Sequence, residues 1–177
     1  MKINVIGTSG SGKSTLSRRL AATLGVPYIE MDKLYWLPDW QGRNDEAMNA
    51  LLIAALDNPG WVLDGNYNRT REIKWRDVDI IVWVDYGFWR TLRQCVLRAM
   101  KRAWQQNELW PDTGNRESFR RAFLSRESII IWTLKTWRKN RTRYAADMAD
   151  PRYKHLRFVR ITNDREADAF LASLTKL

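Results

Sequence analysis

One cysteine and one histidine are all that this 177-residue chain offers of the residues that most often build disulfides and transition-metal sites. A lone Cys95 excludes an intramolecular disulfide and fits a reducing compartment. It falls within a helical pattern without metal-ligand companions, so a buried structural thiol is expected. His155 stands alone beside a strand pattern, and no role falls to it. No apolar run approaches the roughly 20 residues that span a bilayer, and the first residues already read as strand and loop, which leaves no room for a signal peptide. A soluble, cytoplasmic chain without a membrane partner is therefore expected. No internal repeat or low-complexity segment stands out, and the length suits one domain with a sizeable core.

Acidic residues are scarce in one place only. Net charge is +10, and the stretch from Tyr86 to Arg143 holds 14 Lys+Arg against 4 Asp+Glu, while the rest of the chain is balanced at 16 against 16. A uniformly basic nucleic-acid binder would not be distributed this way, whereas an enzyme folding an arginine-rich flap over polyphosphate would. A local nucleic-acid-binding face stays open as the alternative.

What is present begins with Gly7-Thr8-Ser9-Gly10-Ser11-Gly12-Lys13-Ser14-Thr15, directly after the apolar run Ile3-Asn4-Val5-Ile6. It fits the phosphate-loop template G-x-x-x-x-G-K-[ST] at every fixed position. The glycines let successive backbone N–H groups turn inward on an anion, and the helix expected from about Lys13 to Leu24 adds its N-terminal partial charge. A chance glycine- and serine-rich turn is the bland alternative, and the strand before and amphipathic helix after it argue against that. Lys13 is expected on the β- and γ-phosphates of ATP or GTP, and Ser14 on Mg²⁺.

Four further strands follow at Val26–Asp32, Trp61–Asp64, Val78–Asp85 and Leu156–Ile161, alternating with helical patterns at 47–56, 88–104, about 116–140 and 165–174. Short strands alternating with helices predict an α/β fold, a parallel sheet wrapped on both faces. Ligands of such sheets collect at the carboxyl ends of strands, where Gly7, Asp32, Asp64 and Asp85 fall. Asp64 suits a carboxylate holding Mg²⁺, against the alternative of an Asp capping its own turn. Asp32 near an acceptor would serve a hydroxyl that must lose a proton, with Glu30 two residues before it on the same strand face and available to the metal. Arg90, Arg98, Lys101 and Arg102 share one arc of the 88–104 helix, opposite an apolar side of Leu92, Val96, Ala99, Met100 and Ala103. Arg116 and Arg120 lie one turn apart on the next helix, with Arg126 and Arg138 beyond. Ten tryptophans exceed ordinary usage. Trp61 and Trp83 read as core; Trp36 and Trp40, flanking Pro38, are placed to line an acceptor pocket.

These segments resemble the adenylate-kinase-related P-loop kinases, and within that group the proteins labelled DNA topology modulation proteins. Met31-Asp32-Lys33-Leu34-Tyr35-Trp36-Leu37-Pro38-Asp39-Trp40 and Trp61-Val62-Leu63-Asp64-Gly65-Asn66-Tyr67 are similar to that family's recurring segments. The resemblance implies a single P-loop kinase domain over 1–177, a sheet in order 2-3-1-4-5, an acceptor region at about 32–60 and a helical lid at about 107–143. It also implies that Arg98 and Arg102 hold ATP, that Thr162 and Asn163 run along the adenine, and that Asn66 and Arg69 contact the acceptor. Where adenylate kinases continue Asp-Gly-Phe-Pro-Arg, Asn66-Tyr67-Asn68 departs, which counts against a nucleoside monophosphate acceptor. Glu30-x-Asp32 is similar to kinases that phosphorylate hydroxyls. The expected function is an ATP- (or GTP-) and Mg²⁺-dependent kinase transferring the γ-phosphate to a small acceptor, with Arg98, Arg102, Arg116 and Arg120 on the developing charge. A nucleoside monophosphate kinase and a nucleotide-switched nucleic-acid-binding ATPase are the alternatives.

Overall fold

The computed structural model describes residues 1–125 and 128–175, so Arg126 lies outside the described residues. In chain order the elements are β1 (Lys2–Gly7), α1 (Lys13–Leu24), β2 (Tyr28–Glu30), α2 (Met31–Tyr35), α3 (Asp45–Leu56), β3 (Trp61–Asp64), α4 (Arg71–Lys74), β4 (Ile80–Val84), α5 (Phe88–Gln105), α6 (Ile129–Ala149), β5 (Arg157–Ile161) and α7 (Asp164–Leu174). All strands pair in parallel, in the order β2-β3-β1-β4-β5. Every residue of β3 and β4 is buried, as strands covered on both faces must be. On one face Leu16 and Leu20 of α1 and Phe170 and Leu171 of α7 pack against Val5, Val62 and Val82. On the other, Met48 and Leu52 of α3 join Trp61, Trp75, Trp83 and Tyr144. Trp61 and Trp83 are 2% and 3% exposed, core residues as their strand positions suggested.

Buried Asn4 fixes the end of β3. Its amide donates to the carbonyls of Leu63 and Gly65, both at 3.1 Å, and its carbonyl accepts the Trp75 indole N–H at 2.9 Å. A fully satisfied polar group in the central strand thus sets where Asp64 and the turn after it lie.

Three local expectations need correction. The second strand ends at Glu30, and Asp32 lies in the first turn of α2, so the two carboxylates do not share a strand face. Met31 is the cause: it is fully buried against Gly65, whose missing Cβ would fall 2.6 Å from the Met31 Cβ, and the chain leaves the sheet there. The helix expected at 116–140 comes as two pieces, a π turn at Arg120–Leu124 and then α6, which runs on to Ala149. Ser128 starts the second piece, accepting from the Ile130 N–H at 3.2 Å and donating to the Ala122 carbonyl. On α5 the inward face is Thr91, Cys95, Ala99 and Ala103, and Met100 is 46% exposed, because small residues are needed where the phosphate loop and α6 press closely. No described helix is long and apolar enough to cross a membrane.

Candidate active site

The loop from Gly7 to Ser14 links β1 to α1 in a path that depends on glycine. Gly10 has φ +84°, and a Cβ there would fall 2.7 Å from the Thr91 carbonyl oxygen and 2.8 Å from the Cys95 Cβ. Gly12, at φ +90°, is the residue from which α1 starts. The loop closes on itself through the Ser11 N–H to the Thr8 carbonyl at 3.0 Å. It is braced from three sides: Arg98 donates to the Ser9 hydroxyl at 2.8 Å, Thr133 to the Ser9 carbonyl and Asn140 to the Thr8 hydroxyl, both at 3.4 Å, and Asn66 to the Gly7 carbonyl at 3.1 Å.

Beside it opens a cleft of about 270 Å³ lined by Gly10, Gly12, Lys13, Ser14, Thr15, Arg18, Glu30, Gln94, Arg98 and Arg102. Four cations thus face one carboxylate, an environment that attracts polyphosphate. Burial, and after it the charge of Arg98, holds the Arg102 guanidinium below its ordinary value. Burial, and then the carboxylates of Asp32 and Asp64, pushes the Glu30 carboxyl up. Lys13 Nζ stands 3.9 Å from Asp64 Oδ1. Asp64 is 3% exposed, its Oδ2 accepts the Tyr28 hydroxyl at 3.0 Å, and its Oδ1 is buried with no hydrogen-bond partner. A buried carboxylate oxygen without a donor, aimed toward the lysine of the loop, fits a cation-binding role. The Tyr28 hydroxyl is pushed well above its ordinary value, by burial first and by Asp64 and Glu30 next, so it stays a donor to Asp64.

On the far side of Glu30, Asp32 Oδ1 accepts the Tyr67 hydroxyl at 2.7 Å. Trp36 and Trp40 are half-buried and occupied with a third tryptophan: Trp110 stacks on Trp36 at 5.9 Å between centroids and meets Trp40 edge-on at 5.8 Å. Trp110 comes from the connection between α5 and α6, and its indole N–H points to Glu30 at 3.5 Å. Asn115 of the same connection accepts the Trp40 N–H at 2.9 Å and donates to the Leu37 carbonyl at 2.8 Å. Asp39 and Trp40 both hold left-handed φ, 57° and 59°, a strained pair fixed by this clasp. Arg121 lies over the Trp40 ring at 4.2 Å.

Several expected residues are engaged elsewhere. The Asn66 amide is used on the Gly7 carbonyl and the Tyr144 hydroxyl, a structural brace. Arg69 pairs with Asp45 at 2.8 Å and lies over the Tyr35 ring. Thr162 and Asn163 are exposed and donate to the Glu166 carboxylate, while Asn163 caps α7 by accepting the Glu166 N–H at 2.9 Å. Arg116 and Arg120 are exposed and do not line the cleft; Arg116 lies in a bridge opposite Glu108, before the π turn, so the two do not sit one helical turn apart. Arg90 pairs with Asp164, and Asp85 takes Arg141 and Arg160. Lys101 and Arg138 are exposed. Cys95 is fully buried beside Thr133, as expected of a structural thiol. Sequence reading missed Arg18, Gln94, Tyr28 and Trp110. Only Arg18 left a signal, one helical turn after Ser14 on α1.

No family model matches the chain, and no curated protein does. Among solved structures, the crystal structure of a gluconokinase from Sinorhizobium meliloti 1021 is similar, with TM-score 0.50 and 20% identity over 99% of this chain and 93% of that one. The likeness is one of fold: a five-stranded parallel sheet in order 2-3-1-4-5 with helices on both faces, the P-loop kinase fold.

Proposed function

We propose that the chain is a small-molecule kinase that uses ATP or GTP with Mg²⁺ and transfers the γ-phosphate to a hydroxyl. The observation that carries it is the cleft itself, where Lys13, Arg18, Arg98 and Arg102 converge on the loop while Asp64 keeps one buried oxygen without a hydrogen bond, facing Lys13 at 3.9 Å. Ser14 and Asp64, with Glu30 in the same cleft, would hold Mg²⁺, which when bound neutralises charge on the phosphate oxygens. Arg98 and Arg102 orient the nucleotide. Asp32, one oxygen engaged by Tyr67, orients the acceptor or takes its proton. Of the stretch 107–143 expected as a lid, the part that carries Trp110 and Asn115 between α5 and α6 acts as the lid, since from Ile129 on the chain is α6 and braces the loop. The departure of Asn66-Tyr67-Asn68 from the adenylate-kinase sequence speaks against a nucleoside monophosphate acceptor. The fold shared with the Sinorhizobium meliloti gluconokinase is in keeping with a kinase. The narrower kinship, to the DNA topology modulation proteins, rests on the segments Met31 to Trp40 and Trp61 to Tyr67.

Turnover of labelled ATP against nucleosides, nucleoside monophosphates, sugars and sugar acids tests the reading. Lys13→Ala should abolish transfer in a folded protein, and Asp32→Ala should spare nucleotide binding but remove transfer. Normal turnover by Asp32→Ala refutes the hydroxyl-acceptor version.

One observation favours a second reading, a nucleotide-switched nucleic-acid-binding ATPase. Trp89 and Trp104 are 78% and 82% exposed on α5, with exposed Arg93 and Lys101 between them. Such binding should weaken steeply with salt. Weak affinity for single strands at low salt counts against it.

A further inference from the structure

A second, small cavity of about 10 Å³ lies where α4, α6 and the turn after β3 meet. Its charged lining is Arg71, Lys74, Arg143 and Asp147. Asp147 forms its close ion pair with Arg71 at 2.8 Å and acts on Lys74 and Arg143 only from further off, so among the described residues one carboxylate faces three cations here. Lys74 is only 2% exposed, and of its three N–H protons one is used, on the Tyr67 carbonyl at 3.1 Å. Arg143 donates through Nη2 to Asn140 and Tyr144, while its Nε–H is buried with no partner. Unsatisfied buried donors carrying uncompensated positive charge are costly, and water can satisfy the donors but not the charge. Consistent with this, burial and the neighbouring charges of Arg71 and Arg143 lower the Lys74 pKa to about 7.

We propose that this cavity binds one monatomic anion, chloride under ordinary conditions, held by Lys74 and Arg143 with Arg71 beside them. The small size of the cavity, about 10 Å³, favours a single-atom anion over phosphate or carboxylate ligands. The anion would neutralise the cluster and complete the hydrogen bonding of Lys74 and of Arg143 Nε. It would also sit against Asn66, which lines the same cavity and braces Gly7, so its occupancy supports the phosphate loop from behind. None of this depends on the kinase reading.

Bromide is the probe. Crystals soaked in sodium bromide should show an anomalous peak between Lys74 and Arg143. In solution, thermal unfolding at constant ionic strength should move to higher temperature as bromide replaces methanesulfonate, which is too large to enter. Lys74→Met should lose both the peak and the shift. Asp147→Asn, which removes the one competing carboxylate, should move the bromide dependence to lower concentration. Water without anomalous signal at that position, or a bromide-specific shift that Lys74→Met retains, overturns the proposal. If Lys74→Met does not fold, a bromide dependence unmoved by Asp147→Asn overturns it equally.

Discussion

Asn115→Ala isolates the clasp between the α5–α6 connection and the segment after α2. The side chain is 2% exposed and makes two hydrogen bonds across the gap, accepting from the Trp40 N–H at 2.9 Å and donating to the Leu37 carbonyl at 2.8 Å. Each is worth about 0.5–1.5 kcal/mol net, so their loss costs about 1–3 kcal/mol. That corresponds to about 5- to 150-fold in the ratio of clasped to released forms. The upper end is expected, because release also lets Asp39 and Trp40 leave their left-handed conformations. Hydrogen–deuterium exchange read on peptides covering 37–41 and 108–116 should accelerate within that range. The unfolding midpoint should fall by about 2–4 °C for each kcal/mol lost. Asn115→Asp keeps an acceptor for the Trp40 N–H but loses the donor to Leu37, so its acceleration should be smaller. Exchange in 37–41 that matches the wild type in Asn115→Ala refutes the clasp, and with it the proposed role of the connection as a lid.

Gly10→Ala forces a Cβ to within 2.7 Å of the Thr91 carbonyl oxygen at φ +84°, adding about 1–3 kcal/mol of strain and a similar overpacking cost. Nucleotide affinity should drop at least about tenfold. Gly12→Ala, whose Cβ meets only Tyr86 at 3.6 Å, should cost less, and calorimetry on both variants makes the comparison. Lys74 binds its proton with a pKa of about 7 when folded against 10.5 when unfolded. Between those values the unfolded chain holds the proton more tightly, so native stability rises as pH climbs from 7 to 10.5. In halide-free methanesulfonate buffer, where no anion neutralises Lys74, urea midpoints across that range should rise less steeply in Lys74→Met.

The phosphate loop, the five strands and their carboxyl-end placement of Asp64 were legible because their signals are local: glycine spacing, continuous apolar runs and alternation with helices. Strand order came from resemblance, since no periodicity in a strand says which neighbour it takes. The tryptophan cluster was half legible. Trp36 and Trp40 were placed near the acceptor side, but Trp110 belongs to a distant irregular segment and meets them only through the fold. Asn66 misled because an exposed-looking amide after a strand carries no sign that it will bind the loop's own carbonyl. Arg116 and Arg120 misled for a related reason. Their spacing implies one helix face only if the helix is unbroken, and the start of α6 at Ser128 is set by a contact to Ala122 that spacing does not reveal.

In the proposed reading, the loop and its four cations grip a triphosphate. Titration calorimetry of the wild-type chain with ATP or GTP, in the presence and absence of Mg²⁺, tests this most directly. Saturable binding of at least one nucleotide, strengthened by Mg²⁺ and lost in Lys13→Ala, is the predicted result. Absence of binding by the folded wild-type chain, or binding that Lys13→Ala leaves unchanged, contradicts it.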